Sequence, residues 1–343
     1  MSPAPNPRTG PVVVFCDVGP AYGVGHLMRC LALAEELVAT GTPVIVAADV
    51  ASVPFARAQV GARGLQHLPA PHGTEEHLRL LAEVGAAGAI IDSYFLPPAL
   101  YEAVRAAYPT LAFVDGNPAG KAADVLLDQN IGAESDPWPI AAGTTRLAGL
   151  EFALMRTEIL ARRPSRPRIE ESDPPQVFAF FGGTDAYGAG PVLTRALIAT
   201  GAPFALRVVA PQPWDVAPRP GPDQSLEVIA PTDRLAEEVL SADLVISAAG
   251  TSSWELLCLG AACAFVYVAD NQATSYERVL AAGLGLGLGR LEDLVTDPGP
   301  ATAVLTRALA DAGLRAGLRA GGWERVDGGG RSRVAEAFAA ILT

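Results

Sequence analysis

Short apolar segments alternate with stretches of helical periodicity along the whole chain. The apolar segments lie at residues 12–15, 43–49, 89–92, 111–115, 125–128, 177–181, 206–210, 226–229, 244–247 and 264–268. Helical patterns separate them, for example at 27–37 and 98–107, and an amphipathic pattern at 331–342 follows the last segment. Buried strands that alternate with helices are typical of parallel sheets covered on both faces. The pattern therefore predicts an α/β protein.

A charged, proline-rich segment at residues 164–175 divides this pattern in two. Such a composition is typical of an interdomain linker, and 343 residues is long for one core. We predict a Rossmann-like domain at 1–163 and a second at 176–343, and we leave open that the last helix packs back on the first domain. Tandem domains of this kind imply a cleft between them, where ligands prefer to bind.

The charge balance limits the classes of partner. The net charge is −12 and there is no run rich in Lys and Arg, which disfavours a nucleic-acid surface. No apolar run reaches the roughly 18 residues of a membrane span, and the polar, proline-rich residues 1–10 lack the apolar core of a signal peptide. We therefore expect a cytoplasmic protein. The sequence does not indicate its oligomeric state.

The cysteines and histidines do not predict a metal site. The cysteines show no Cys-x-x-Cys spacing, which favours buried thiols, and they are Cys16, Cys30, Cys258 and Cys263. His67, His72 and His77 cluster near a predicted loop but lack neighbouring ligand residues, so we interpret them as part of a solvated loop. We expect neither a metal nor a cofactor.

The segment at residues 23–30, Gly-Val-Gly-His-Leu-Met-Arg-Cys, is the first candidate site. It follows a predicted buried strand and Asp17, and it begins a helical pattern. Gly23 and Gly25 let the backbone approach a ligand, and free N–H groups at a helix N-terminus favour phosphate. The segment is neither Gly-x-Gly-x-x-Gly nor a Walker loop. We therefore predict a sugar-nucleotide site with His26 at its mouth.

Three aspartates stand at the ends of predicted strands, namely Asp17, Asp92 and Asp115. Ligands of open α/β sheets bind at the carboxyl ends of strands. Aspartate is also a common turn and capping residue, so either explanation fits each of these positions.

Residues 246–255, Ile-Ser-Ala-Ala-Gly-Thr-Ser-Ser-Trp-Glu, form the second candidate site, because small and hydroxyl residues follow a strand at a helix start. The groups that can hold a diphosphate are those of Gly250, Thr251, Ser252 and Ser253. Glu255 can accept hydrogen bonds from a ribose, although Ser252 and Glu255 also have the spacing of a capping box. Two further polar strand ends, Gly182-Gly183-Thr184 and Asp270-Asn271-Gln272, favour the ligand site.

These motifs resemble those of the bacterial UDP-sugar hydrolases of pseudaminic acid synthesis, which cleave UDP-2,4-diacetamido-2,4,6-trideoxy-β-L-altropyranose. Those hydrolases are similar in turn to GT-B glycosyltransferases that add N-acetylglucosamine in peptidoglycan synthesis. The resemblance runs almost end to end, through Asp17 with Gly23-x-Gly25-His26-x-Met28-Arg29-Cys30, Asp92-x-Tyr94, Asp128-Gln129-Asn130, Gly149-x-Glu151-Phe152-Ala153-Leu154-x-Arg156, Gly182-Gly183-Thr184-Asp185, Gly250-Thr251-Ser252-Ser253-Trp254-Glu255, Asn271-Gln272, Asp327-Gly328-x-Gly330 and Arg333.

The resemblance implies a GT-B-like fold, with two Rossmann-like domains facing a cleft, and a metal-independent, inverting cleavage of the C1–O bond that yields free sugar and UDP. It makes His26 the base that activates water, beside Asp17, and it puts UDP in the second domain with Glu255 on the ribose. The residues assigned to nucleotide and phosphate are Gly23, Gly25, Gly182, Gly183, Thr184, Gly250, Thr251, Ser252, Ser253 and Glu255. The residues assigned to the sugar are Arg29, Asp92, Tyr94, Asn271 and Gln272.

Two positions in the first domain depart from the family pattern. Phe15 stands where the family has an arginine, and Asp115-Gly116 stands where it has paired aspartates. The identity of the sugar is therefore open. A GT-B glycosyltransferase that moves the sugar to an acceptor is the alternative to a hydrolase, because the sequence does not separate water from an acceptor as nucleophile. A third hypothesis is an inactive nucleotide-sugar binding protein. The presence of His26 beside Asp17 and Arg29 disfavours this hypothesis.

Overall fold

The computed structural model describes residues 10–19, 23–118, 120–182, 185–216 and 218–342. Over these residues the chain forms two compact α/β units. The first unit ends at Thr157 and resumes at Gly328, and the second unit runs from Glu158 to Asp327. Each unit has its own parallel sheet, so the predicted fold class of two Rossmann-like domains is confirmed.

The sheet of the first unit has seven strands in the order β3-β2-β1-β4-β5-β6-β7, and every pairing is parallel. The strands are β1 (Val12–Cys16), β2 (Val44–Ala47), β3 (Gln66–Leu68), β4 (Gly88–Asp92), β5 (Thr110–Phe113), β6 (Val125–Asp128) and β7 (Thr145–Ala148). The strand order reverses between β1 and β4. Such a switch point opens a crevice outside the carboxyl ends of the two strands.

The sheet of the second unit has six parallel strands in the order β10-β9-β8-β11-β12-β13. The strands are β8 (Gln176–Phe180), β9 (Phe204–Val209), β10 (Gln224–Ile229), β11 (Leu244–Ala248), β12 (Cys263–Tyr267) and β13 (Leu286–Arg290). Its switch point lies between β8 and β11, so the loops that follow these two strands are the expected ligand loops of this unit.

Helices cover the sheets, and the side chains of successive strand residues alternate between the two faces. In chain order they are α1 (Gly25–Ala39), α2 (Pro54–Ala62), α3 (Gly73–Glu83), α4 (Pro98–Ala107), α5 (Thr157–Leu160), α6 (Ala189–Ile198), α7 (Leu235–Ser241), α8 (Ser252–Cys258), α9 (Ala273–Ala281), α10 (Leu291–Thr296), α11 (Gly299–Ala310), α12 (Ala312–Arg325) and α13 (Gly330–Leu342). In β1, Val12 and Val14 belong to one apolar cluster with residues of α1 and α13, whereas Val13 and Phe15 belong to another with residues of α4. None of the helices described is long and apolar enough to cross a membrane.

The last helix, α13, belongs to the first unit. Its Val334 and Phe338 are fully buried in the same cluster as residues of α1. At its start, a Cβ atom on Gly330 would lie 2.2 Å from the backbone oxygen of Ala153, so only a glycine permits this approach. Arg331 also contacts Glu35 of α1, with Nη1 3.1 Å from Oε2.

The segment at residues 164–175, which we predicted to be a linker, is part of the second unit. Glu171 accepts hydrogen bonds of 2.6 Å from Arg315 and from Arg319, both buried residues of α12. The carboxylate of Asp243, which is also buried, pairs with Arg168 of this segment, whose Nη2 lies 3.2 Å from Oδ1. Charged side chains are rarely buried unless they are paired, and these pairs fix a segment whose composition alone indicates a loose connection.

Candidate functional site

The glycine turn between β1 and α1 forms the edge of the candidate site in the first unit. Gly19 and Gly23 exchange two backbone hydrogen bonds, of 2.8 and 3.3 Å, on either side of residues 20–22. Gly23 has a φ of +77°, which is unfavourable for a residue with a side chain. Helix α1 then begins at Gly25, which places His26 in its first turn at the switch point of the sheet.

The imidazole of His26 has one ring nitrogen directed at oxygen atoms. Its Nδ1 lies 3.2 Å from the backbone oxygen of Asp92, 3.4 Å from Asp92 Oδ1 and 3.7 Å from Asp17 Oδ2. Oxygen atoms of this kind can only accept a hydrogen bond, so Nδ1 carries the proton in the neutral ring and donates it to the backbone oxygen of Asp92. Nε2 then has the lone pair and can take a proton from another molecule.

Asp17 is held by two donors from the segment that follows β4. The hydroxyl of Ser93 donates to Oδ1 and the backbone N–H of Tyr94 donates to Oδ2, each over 2.8 Å. The Ser93 hydroxyl in turn accepts from the backbone N–H groups of Phe95 and Leu96, over 3.0 and 3.2 Å. Both carboxylate oxygens of Asp17 are therefore fixed beside the imidazole.

Arg29, one turn after His26 on α1, is buried beneath the site. Its guanidinium donates two hydrogen bonds of 2.6 Å to the two oxygens of Asp92 and two of 2.9 Å to the two oxygens of Asp115. Asp92 is fully buried, and Arg29 is 5% exposed. Two bidentate pairs of this kind share one cation and fix both carboxylates.

Asp115 connects the buried guanidinium of Arg29 to the partly exposed side chain of Tyr94. It accepts a 2.6 Å bond from the hydroxyl of Tyr94 and a 2.8 Å bond from the side-chain amide of Asn130, which also donates to Asp128 over 2.7 Å. Burial tends to raise the pKa of Asp115, but the Arg29 charge and these hydrogen bonds outweigh burial and hold the pKa well below its usual range. Asp115 is therefore ionised at neutral pH.

The structure brings together the site residues predicted in the first half of the chain. The residues that lie within this one network are Asp17, His26, Arg29, Asp92 and Tyr94, with Gly23 and Gly25 in the adjoining turn. Their roles stay predictions, and the four bonds of Arg29 direct it to carboxylates rather than outward.

Sequence reasoning gave no role to Ser93 or to Lys121, which also belong to this network. Ser93 could have been identified from its place directly after the strand-ending Asp92. No feature of the sequence marks Lys121 as part of the site. Its Nζ donates to the backbone oxygen of Phe113 over 2.8 Å and lies 5.8 Å from the centre of the Tyr94 ring.

The structure accommodates both residues that depart from the family pattern, Phe15 by packing and Gly116 by a hydrogen bond. Phe15 is buried and its ring lies 4.7 Å from that of His77, on the sheet face opposite Val14. His77 was predicted to lie in a solvated loop, and this was wrong: it is 2% exposed in α3, where burial lowers its pKa and Nδ1 contacts the backbone oxygen of Gly73 at 2.8 Å. Gly116 donates its backbone N–H to Asp128 over 2.8 Å.

In the second unit, the loops after β11 and β12 come together. A Cβ atom on Gly250 would lie 3.6 Å from the side-chain nitrogen of Gln272. The side-chain oxygen of Gln272 accepts a 3.0 Å bond from the backbone N–H of Val268, which orients the amide. Two of the polar strand ends predicted from the sequence are thus neighbours.

Helix α8 begins at Ser252, with Thr251 at the N-cap, and the Thr251 side chain makes no capping hydrogen bond. The capping box that the Ser252–Glu255 spacing allows is therefore absent, since that motif needs its serine at the N-cap. Ser253 is 2% exposed, and its hydroxyl has no hydrogen-bond partner in the described part of the chain. Glu255 is also buried. A buried hydroxyl without a partner is rare in a folded protein.

The loop after β8 leads into helix α6, and the side chain of Asp185 already occupies the N-terminus of that helix. Both oxygens of Asp185 accept backbone N–H groups at the start of α6, from Ala189 over 2.8 Å and from Gly190 over 3.0 Å. Burial raises the pKa of Asp185, and these two bonds oppose that rise. An anionic ligand at this helix start would have to displace the carboxylate.

The other predicted residues of the second unit are less informative. Gly182 is exposed with a φ of +75°, and Gly183 and Thr184 lie outside the described residues. Asn271 is exposed in a short 3-10 helix. Within the described ranges, no group of three or more His, Cys, Asp or Glu side chains is placed to hold a metal ion.

Comparison with known proteins identifies the fold. No family model and no curated protein matches the sequence. Among solved structures, MurG of Acinetobacter baumannii is similar with a TM-score of 0.69 at 15% identity, over 96% of this chain and 100% of that one. The glycotransferase of kitacinnamycin gives 0.66 at 15% identity, over 98% and 100%. The spinosyn rhamnosyltransferase SpnG, complexed with thymidine diphosphate, gives 0.61 at 17% identity, over 97% and 98%.

At these identities the similarity shows the fold, which is that of the GT-B glycosyltransferases. The pseudaminic acid hydrolase family, to which the sequence motifs pointed, does not appear among these neighbours. The similar chains are matched over nearly their full length. Both sheets of this chain therefore belong to one known architecture.

Proposed function

We propose that this protein is a glycosyltransferase that moves a sugar from a nucleotide sugar to a hydroxyl group of an acceptor. The observation that carries the proposal is the orientation of His26, whose Nδ1 faces Asp92 and Asp17 and whose Nε2 is left to act as a base. The fold supports it, because structural neighbours over nearly the whole chain are named glycosyltransferases.

In the proposed reaction, Nε2 of His26 takes the proton of the acceptor hydroxyl as its oxygen bonds to C1 of the sugar. The bond between C1 and the diphosphate oxygen breaks, and its electron pair leaves with the nucleoside diphosphate. A single displacement of this kind inverts the anomeric centre. The carboxylates of Asp17 and Asp92 stabilise the imidazolium that forms, as an aspartate does in a catalytic triad.

We assign the nucleotide to the second unit. The buried, unpartnered hydroxyl of Ser253 supports this assignment, since a ligand oxygen would satisfy it. Donors around Gly250 could also stabilise the charge that develops on the leaving diphosphate. UDP, which the sequence motifs suggest, and thymidine diphosphate, which SpnG holds in its complex, are both candidates for the nucleotide.

A nucleotide-sugar hydrolase is the second candidate, and the motif Gly23-x-Gly25-His26-x-Met28-Arg29-Cys30 favours it. The same base would then act on water. The two candidates differ only in the molecule that attacks C1, so product analysis separates them.

The test of the base is His26→Gln, with His67→Gln as control because His67 is exposed on the edge strand β3. General-base catalysis contributes about 10²–10⁴-fold, so we expect turnover of the nucleotide sugar to fall by that factor in the first variant only. The dissociation constant of the nucleoside diphosphate, measured by calorimetry, should stay within about twofold. Near-normal turnover in His26→Gln would remove His26 from the chemistry.

A further inference from the structure

The geometry points to a positioning role for Tyr94: its ring fixes the orientation of the His26 imidazole, and its hydroxyl anchors that ring to Asp115. This inference rests on the proposed function, because it concerns the same base. It replaces the sugar contact that the sequence motif implies for Tyr94, and it assigns Asp115 and Arg29 to the support of that ring.

The hydroxyl of Tyr94 is already used. A phenolic hydroxyl has one hydrogen to donate, and that of Tyr94 is given to Asp115 Oδ2 over 2.6 Å. Because the acceptor is an ionised carboxylate, the bond is charge-assisted and stronger than one to a neutral sugar hydroxyl. Donation to a sugar would require this bond to break.

The acceptor of that bond is itself fixed. Asp115 is held by two hydrogen bonds of 2.9 Å from the buried guanidinium of Arg29 and by one of 2.8 Å from Asn130. The Tyr94 ring is thus tethered at its backbone, where its N–H donates to Asp17 over 2.8 Å, and at its hydroxyl. A side chain held at both ends has little freedom, although 49% of Tyr94 is exposed.

This fixed ring lies against His26. The two ring centres are 4.5 Å apart and the planes meet at 82°, an edge-to-face arrangement. The contacts of Nδ1 with Asp92 and Asp17 hold one point of the imidazole and leave it free to tilt about that point. The Tyr94 ring removes this freedom and so keeps Nε2 in one direction, as a base must be to meet its proton.

The ordinary explanation is an aromatic pair at the surface with an incidental hydrogen bond. It predicts that loss of the hydroxyl changes nothing, because the ring packing would survive. A sugar ligand predicts instead that the same change weakens binding of the nucleotide sugar. The positioning role predicts that binding is kept while the chemical step slows.

The first test is Tyr94→Phe, with Tyr108→Phe as control because Tyr108 precedes β5 and so lies at the amino ends of the strands, opposite the carboxyl ends that carry the site. We expect kcat to fall by about 5–50-fold in Tyr94→Phe with an unchanged KM for the nucleotide sugar, since small misplacements of a catalytic group cost up to about 100-fold. A raised KM with an unchanged kcat, or wild-type kinetics, would overturn the inference.

The second test needs no turnover and so separates this inference from the proposed function. The chain has four histidines, and the Cε1–H resonance of His26 can be assigned as the one lost in His26→Gln. The ring of Tyr94, which lies edge-to-face with the imidazole, shifts this resonance. If loss of the hydroxyl releases the ring, the resonance in Tyr94→Phe should move toward its value in Tyr94→Leu, which has no aromatic ring. Tyr108→Phe should leave the resonance unchanged. If the resonance of Tyr94→Phe coincides with that of the wild type, the hydroxyl does not anchor the ring and the inference fails, whether or not the protein is active.

Discussion

At the scale of single residues, the site depends on how one buried cation is neutralised. Arg29 is almost completely buried, so its charge is tolerated only because the carboxylates of Asp92 and Asp115 neutralise it. The same pairs orient the groups around His26, since Asp92 contacts Nδ1 and Asp115 holds Tyr94. The same carboxylates therefore support both the stability of the fold and the proposed catalysis.

This sharing predicts a pH-dependent effect of Asp115→Asn. Because the folded-state pKa of Asp115 is depressed, its contribution to stability is present above the unfolded value of about 3.9 and is lost as the pH falls below it. We expect Asp115→Asn to lower the free energy of unfolding by about 2–4 kcal/mol at pH 7, since removal of one partner leaves the buried Arg29 incompletely paired.

Urea unfolding at pH 7 and at pH 3 checks this prediction. The gap in the free energy of unfolding between wild type and Asp115→Asn should narrow at pH 3, because the wild type alone loses part of the contribution of this charge. Asp49→Asn is the control, since Asp49 is exposed in the same unit, and it should change the free energy by less than about 0.5 kcal/mol at both values. A gap of equal size at both pH values would contradict the ionised Asp115.

The sequence identified the chemistry of individual residues better than their partners. Asp17, His26 and Asp92 were selected because they stand at strand ends and at a helix start, and the fold does bring them together. Arg29 was assigned to a sugar because it lies in the same motif. Its true partners lie 63 and 86 positions away along the chain, and local patterns give no information on such distant pairs.

At the scale of secondary structure, central strands were predictable and most edge strands were not. The strands β1, β4, β8 and β11 are covered on both faces and are mostly apolar. The strands β3, β7 and β13 lie at sheet edges and are partly exposed, so polar residues and glycines interrupt them. A strand that is buried on one face has few apolar residues, so its apolar pattern is weak in such a short segment.

The start of α8 provides a test of the nucleotide site at this scale. The hydroxyl of Ser253 is buried without a partner, so Ser253→Ala should leave the free energy of unfolding of the unliganded protein unchanged or slightly higher. If a diphosphate uses that hydroxyl, affinity for UDP or thymidine diphosphate should fall about 5–10-fold, which is about 1–1.4 kcal/mol.

Calorimetric titration and urea unfolding of the same samples separate these two effects. Thr194→Val is a matched control, because the Thr194 hydroxyl is also buried without a partner in the described residues but lies within α6. It should change neither affinity nor stability by more than the error. Equal nucleotide affinity in Ser253→Ala and the wild type would exclude this hydroxyl from the nucleotide site.

At the scale of the whole molecule, the chain forms two separate parallel sheets, and each sheet has its own switch point. The first sheet carries the candidate base, and the second carries helix α8, whose Ser253 hydroxyl is buried without a partner in the described residues. The net charge of −12 opposes the binding of an anionic nucleotide. Local donors must therefore provide the affinity of the proposed nucleotide site.

The most direct measurement is a proton NMR time course of UDP- and thymidine-diphosphate-linked sugars with the wild-type protein, with and without a panel of hydroxyl acceptors. For a transferase, we expect nucleoside diphosphate to accumulate only when an acceptor is present, and the new glycoside to have an inverted anomeric proton. Release of free sugar without any acceptor would contradict the transferase and establish the hydrolase. Binding of the nucleotide sugars without any turnover would contradict both.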